Sequence, residues 1–298
     1  MSFKSIFDPS TKPARHPTQG AGDFRSGAVY LFTPEMELAV SAAMATQRPL
    51  LITGPAGCGK SSLARNTATR LGWRYLERTV NSRTEIHSLL WEVDQLRRLQ
   101  DAQAQSLNAN LLSYVRPQVL WSALDARTAA DPLLLQAAAP KARRQALDPA
   151  VVLIDEIDKA DPDLPNNLLE VLGGLRFEVA DTGLRVGCES GIPLIVITSN
   201  DERDLPPAFV RRCISLSLKQ PDLAAVAALH FPKDQRLIDA ALTLINDSVS
   251  SAAGVPAISA AEFLDFVQAC KELRVKPQSP AWAQLAQACV LKGRTTTR

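Results

Sequence analysis

Nine consecutive residues, Gly54-Pro55-Ala56-Gly57-Cys58-Gly59-Lys60-Ser61-Ser62, constrain this chain more than any other stretch. An apolar run, Pro49 to Thr53, precedes them, and the breaker-free segment SSLARNTATRLG follows as far as Gly72, so the local order reads strand, loop, helix. Residues without bulky side chains let successive backbone N–H groups curl into a cradle, and the start of the following helix adds the positive end of its dipole. A polyphosphate is the ligand such a cradle fits. Lys60 would reach its β- and γ-phosphates, Ser61 would ligate Mg²⁺ through its hydroxyl, and Ser62 belongs with the loop as a binding residue.

Two further apolar runs end in polar residues. Val151-Val152-Leu153-Ile154 leads into Asp155-Glu156. A carboxylate at the C-terminal edge of a buried strand lies where an open α/β sheet binds ligands, so Asp155 can hold Mg²⁺ directly or through water. Glu156 can take the proton of an attacking water. Ile192 to Thr198 leads into Ser199-Asn200, where the amide can hydrogen-bond a γ-phosphate or position the water. Downstream, Leu205-Pro206-Pro207-Ala208-Phe209-Val210 ends in Arg211-Arg212, two guanidinium groups that can face the γ-phosphate of a neighbouring subunit and stabilise developing charge in trans.

The remaining chain fills in around these motifs. Thr33, Pro34, Glu35 and Glu37 mark a helix start, and Met36, Ala39, Val40, Ala43 and Met44 repeat at helical spacing. A second strand is predicted at Tyr75 to Val80, followed by a helix through Ile86, Leu89, Leu90, Val93 and Leu96. Asp161-Pro162 opens a helix that Gly173 and Gly174 close, and segments 176–179 and 184–186 alternate about Asp181-Thr182-Gly183 as a hairpin. Continuous rather than alternating apolar strands, interleaved with helices, predict an α/β fold whose parallel sheet is sandwiched by helices. After Asp222 only helical stripes remain, through Leu237, Ile238, Ala241, Leu242 and Ile245 and through Phe263, Leu264, Val267, Cys270 and Leu273.

In this order the motifs resemble those of the AAA+ ATPases, P-loop NTPases, and more narrowly the MoxR group. GPAGCGKS, VVLIDEIDKADPDLPNNLLEVL, the hairpin through RFEVADTGLRV, ITSN and DLPPAFVRRC carry the resemblance, which covers roughly residues 28–298. It implies that the first motif is Walker A, Asp155-Glu156 Walker B and Asn200 sensor 1, and that the arginine before CISLSL is the finger. Arg212 fits that last place better than Arg211, with the doubled arginine leaving both open. The hairpin resembles the pre-sensor-1 insertion. The resemblance further implies a homo-hexameric ring, ATP with Mg²⁺ at each subunit boundary, and chaperone-like remodelling of a protein client, often beside a von Willebrand factor A domain partner. A slow-hydrolysing switch or scaffold in bacterial signalling or defence is the alternative.

On this reading residues 1–28, rich in Pro and Gly, form a flexible arm; 29–221 form the nucleotide-binding domain; and 222–298 form a small all-α lid. Lys60 and Asp155 lie 95 positions apart, so residues 95–148 are a helical elaboration. Family members commonly open a lid helix with Ser-Pro-Arg, whose arginine is sensor 2; Ser279-Pro280-Ala281 is the expected counterpart, without the arginine.

Composition narrows the partners. The 298 residues carry 33 Lys+Arg against 31 Asp+Glu, a net charge of +2, which gives no global electrostatic case for nucleic acid or an anionic membrane. The longest apolar runs fall far short of the ~20 residues of a spanning helix, and the N-terminus has no apolar signal core. Five cysteines, odd in number and without a CxxC, suggest neither a disulfide framework nor a zinc knuckle, so a reducing cytoplasm is the expected location. His16, His87 and His230 lie far apart, without companion ligands. Cys58 is either an oxidant-sensitive thiol or a small filler, and Tyr30 either meets the adenine or belongs to the core.

Overall fold

The apolar strands on either side of the glycine-rich loop pair into one parallel sheet buried on both faces. The computed structural model describes residues 5–10, 29–136, 149–179, 182–189, 191–250 and 258–291. In chain order, α1 (Pro34–Thr46), β1 (Leu50–Thr53), α2 (Lys60–Leu71) and β2 (Arg74–Thr79) come first. Then follow α3 (His87–Leu90), β3 (Trp91–Val93), α4 (Gln95–Gln103), β4 (Val115–Pro117), α5 (Val119–Leu124) and α6 (Ala126–Ala130). The second half of the α/β part holds β5 (Ala150–Asp155), α7 (Leu164–Gly174), β6 (Arg176–Val179), β7 (Leu184–Gly187), β8 (Leu194–Ser199), α8 (Pro207–Val210) and β9 (Ile214–Ser217). Four helices close the chain: α9 (Leu223–His230), α10 (Gln235–Ser250), α11 (Ala260–Glu272) and α12 (Pro280–Cys289).

The central sheet has the order β2-β5-β8-β1-β9, every neighbouring pair parallel. Its register sets Thr79 beside Asp155, and Thr53 beside both Ser199 and Ser217, so the strands end along one edge. The loops that leave this edge are those the sequence marks as chemical. Alternation along each strand feeds two cores: Leu51, Val152, Ile154, Ile195 and Ile197 pack with α5 and α7, while Leu50, Ile52, Val151, Leu153 and Val196 pack with α1 and α2. A third cluster, around Ile238, Phe263, Phe266 and Trp282, holds the four C-terminal helices together. Fold class thus agrees with the sequence reading.

Three local expectations give way. The helix predicted through 86–96 is interrupted, because Trp91–Val93 pairs antiparallel with Val115–Pro117 and Trp91 stacks on Phe177 with ring centroids 5.6 Å apart. Asp94 then starts α4 by accepting from Arg97 N at 3.0 Å. Helical spacing in that stretch is overridden by tertiary pairing, and Leu96 is left 66% exposed. The elaboration after residue 95 is likewise not wholly helical, since it supplies β4; its residues 137–148 lie outside the described residues. Finally, Gly173 and Gly174 stay within α7, and Leu175 takes the left-handed turn at φ 45°.

The expected N-terminal arm is not uniformly unpacked. Phe7 is fully buried in the core that covers α1, its ring centroid 5.2 Å from that of Phe32, and its backbone N–H donates to Ser41 Oγ at 3.1 Å. Residues 11–28 of that arm, with His16, and Asp181 of the hairpin turn lie outside the described residues. Among the described residues no helix is long and apolar enough to cross a membrane.

Candidate functional site

The loop between β1 and α2 follows a path that side chains would block. At Gly54 (φ +141°) a Cβ would sit 2.3 Å from the Leu218 carbonyl oxygen, and at Gly57 (φ +75°) it would sit 2.2 Å from Ser259 Cβ. The backbone therefore comes close to β9 on one side and to the start of α11 on the other. Between them lies a cavity of about 810 Å³ whose lining includes Ala56, Gly57, Cys58, Gly59, Lys60, Ser61, Ser62, Asp155, Glu156 and Asn200. That size is in the range of pockets that enclose small ligands. Gly54 and Pro55 are not among the lining residues; their carbonyl oxygens instead accept from Lys60 Nζ, at 2.7 and 2.9 Å.

Lys60 opens α2 and is 7% exposed. Its third acceptor is Asn200 Oδ1 at 2.7 Å, a contact between the loops that leave the neighbouring strands β1 and β8. Ser61 Oγ donates to Asp155 Oδ2 at 2.9 Å. Thr198 Oγ1 donates to the other carboxylate oxygen, Asp155 Oδ1, and accepts from Glu156 N at 3.0 Å. Glu156 sits at φ 61°, ψ 47°, a left-handed conformation that non-glycine residues seldom adopt. The strand direction breaks there, and the Glu156 side chain forms a 3.0 Å ion pair with Lys159. Through that bond Glu156 raises the pKa of the Lys159 ammonium.

A hydroxyl and a carboxylate oxygen in contact form a hard-oxygen pair of the kind Mg²⁺ takes, and Ser61 with Asp155 fits that requirement. Among the described residues no cluster of three or more His, Cys, Asp or Glu forms a separate metal site.

Tyr30 lines the cavity, but its hydroxyl donates to the Gly59 carbonyl at 3.2 Å, which braces the loop from the α1 side. Burial pushes the Tyr30 phenol far above its ordinary pKa, so it stays a donor. Its ring centroid lies 4.9 Å from that of Phe32, which continues the aromatic contact to Phe7. Cys58 is 4% exposed, and burial raises its thiol pKa against the opposing charge of Lys60. A neutral, enclosed thiol is the filler of the two readings.

Arg211 and Arg212 are both exposed and neither lines the cavity. Buried Phe209 on one side and buried Cys213 on the other hold them at the end of α8. The lid expectation needs a correction. The helix that meets the phosphate loop is α11, whose N-cap Ser259 touches Gly57 and whose Ala260, Ala261 and Leu264 line the cavity. Neither Lys276 nor Ser279-Pro280-Ala281 is among the lining residues. No arginine opens α11 either. Sequence reasoning missed Thr198, whose signal was a β-branched hydroxyl inside an apolar strand, and Ser259, whose role depends on a contact between distant segments.

Comparison with known proteins adds the family. No match was found among curated proteins. Among solved structures, a candidate ATPase from Cytophaga hutchinsonii is 14% identical at a TM-score of 0.41, the alignment covering 79% of this chain and 57% of that one. NtrX from Brucella abortus, in complex with ADP, is 14% identical at a TM-score of 0.47, covering 88% and 55%. This chain thus spans little more than half the length of either. Residues 49–213, more than half of the chain and including the ends of β1, β5 and β8, match the AAA domain of the dynein-related subfamily, and the chain belongs to that family of AAA+ proteins.

Proposed function

We propose that this protein binds ATP with Mg²⁺ in the cavity between the α/β part and the C-terminal helices, and that it hydrolyses the γ-phosphate bond. One observation carries the reading: Lys60, Ser61, Asp155, Glu156 and Asn200, from three separate segments, line one cavity, in which Lys60 bonds to Asn200 and Ser61 to Asp155. The Gly57–Ser62 backbone and Lys60 would hold the phosphates. Ser61 and Asp155 would hold Mg²⁺, which neutralises charge on the phosphate oxygens when bound. Glu156 is the base that takes a proton from the attacking water, and Asn200 orients that water or the γ-phosphate.

The finer assignment is a MoxR-like, homo-hexameric ring in the cytoplasm that remodels or assembles a protein partner, a client or a protein with a von Willebrand factor A domain, rather than nucleic acid. Exposure of Arg211 and Arg212 away from the chain's own cavity supports a site completed by a neighbour. Five cysteines, none of them in a disulfide, suit a reducing compartment. The slow switch or scaffold is the second reading, favoured by the first turn of α11, which offers Ala260 and Ala261 to the cavity in place of a cation.

The test is ATP binding and turnover by purified protein. Lys60→Ala is expected to abolish nucleotide binding, whereas Glu156→Gln should bind ATP normally and lose turnover by at least about 100-fold, the contribution typical of a general base. Equal turnover by wild type and Glu156→Gln removes the assigned base, and absence of adenine-nucleotide binding by wild type removes the proposal. Turnover with and without the partner then separates a motor, which it stimulates, from a switch.

A further inference from the structure

Three residues beyond Asp155, a third carboxylate is buried deeper than either member of the Asp155-Glu156 pair. Asp158 is 3% exposed. Its Oδ2 accepts two backbone N–H groups, from Asn200 at 3.1 Å and from Glu202 at 3.1 Å, while Oδ1, also buried, has no hydrogen-bond partner among the described residues. Withdrawing a carboxylate from water is expensive unless strong bonds compensate, and half of this one is left uncompensated. A residue of that cost is best understood by what its satisfied half holds.

It holds the turn after β8. Asn200 and Glu202 flank Asp201, which takes a left-handed conformation at φ 59°, so the two N–H groups converge on one oxygen. Charge-assisted bonds of this kind are about twice as strong as neutral ones. Asn200 is the residue whose side chain meets Lys60 at 2.7 Å. On the other side, Asp158 belongs to the short turn that follows Glu156, and the N–H of Glu156 is held by Thr198 of the same β8. The turn that bears the proposed base is therefore pinned to the end of β8 at two points, Thr198 and the Asn200–Glu202 turn.

Building on the ATPase reading, we propose that Asp158 is a positioning residue for hydrolysis. It locks the turns that carry Glu156 and Asn200 into one rigid unit, so that base and amide keep a fixed separation over the γ-phosphate. A displacement of about 1 Å between such groups is enough to cost up to 100-fold in rate while leaving ground-state binding largely intact. Nucleotide affinity depends on Lys60 and the loop backbone, which Asp158 does not touch.

The experiment compares wild type, Asp158→Asn and Asp158→Ala for the Kd of a fluorescent ATP analogue, for kcat at saturating ATP–Mg²⁺, and for amide hydrogen exchange across residues 198–204. Asp158→Ala should lower kcat at least tenfold with Kd changed less than threefold, and should speed exchange at Asn200 and Glu202. Asp158→Asn keeps the shape and an acceptor oxygen but loses the charge, and should fall between the two. Wild-type kcat in Asp158→Ala overturns the inference, as does a rise in Kd equal to the fall in kcat, which is the signature of a merely structural residue. If Asp158→Ala does not fold, Asp158→Asn decides: kcat down threefold or more at unchanged Kd supports the role, and kcat equal to wild type overturns it. A wild-type protein that binds but never hydrolyses ATP would instead remove the ATPase reading, which keeps the two failures distinct.

Discussion

The ammonium of Lys60 is enclosed, 7% exposed, and bonded to three neutral oxygens rather than to a carboxylate. A buried cation matched only by dipoles recovers less of its hydration energy than one matched by an anion. The fold therefore keeps a charge whose full compensation is a phosphate. It follows that Lys60→Met, which retains most of the volume and removes the charge, should melt at or above the wild-type temperature without ligand. It should also show no stabilisation by ATP–Mg²⁺, whereas wild type at a hundred times Kd gains about 2.7 kcal/mol. Thermal denaturation with and without nucleotide reads both effects, and a large ligand-free destabilisation of Lys60→Met would show that the lysine serves the fold rather than the ligand. Lys60 and Ser61 were legible in the sequence because they close the glycine-rich loop, and Asp155 because it ends an apolar run. Thr198 was not, since its two bonds, to the Asp155 carboxylate and the Glu156 N–H, exist only once β5 and β8 are neighbours.

At the scale of elements, the contact between α11 and the phosphate loop decides how the C-terminal helices sense the site. Ser259 caps α11 through a reciprocal capping box with Glu262, and its Cβ lies where a side chain on Gly57 would go. Gly57→Ala meets two penalties: alanine at φ +75° costs about 1–2 kcal/mol, and the new methyl must push α11 away. Weaker nucleotide binding, by roughly tenfold for each 1.4 kcal/mol transmitted to the loop, is the expected result by titration calorimetry. Glycine is a tolerated N-cap, so Ser259→Gly in the same chain should relieve the clash at a cost of only a few tenths of a kcal/mol to the helix and recover part of the affinity. No recovery would mean that the backbone strain at residue 57 acts alone. Four of the five sheet strands and two of the four C-terminal helices, α10 and α11, were readable from the apolar pattern. What was not readable is which of those helices faces the loop: Ser279-Pro280-Ala281 has the more suggestive sequence, yet Ser259-Ala260-Ala261 occupies the position. The break at Trp91–Val93 escaped for the same reason, since its partners are the distant Val115–Pro117 strand and Phe177.

At the scale of the whole molecule, the proposed hydrolysis calls for a cation beside Lys60 to meet the γ-phosphate. The first turn of α11 supplies alanines, and Arg211 and Arg212 project from the end of α8 outside the chain's own cavity. A guanidinium delivered by the next subunit satisfies both facts, and a head-to-tail contact of that type closes into a ring when its rotation permits. Arg212→Ala should then lower kcat by about 10³-fold, the effect of losing a trans arginine, with nucleotide affinity retained. Its decisive property is complementation. Lys60→Ala subunits have no working cavity but an intact Arg212, and Arg212→Ala subunits have the converse. In an equimolar random mixture about one boundary in four joins an intact cavity to an intact arginine, so the mixture should regain up to about a quarter of wild-type turnover although each variant alone is inactive. Running the same pairing with Arg211→Ala identifies which guanidinium acts. Mixtures no more active than their components would place the arginines outside the reaction and leave hydrolysis to a single chain.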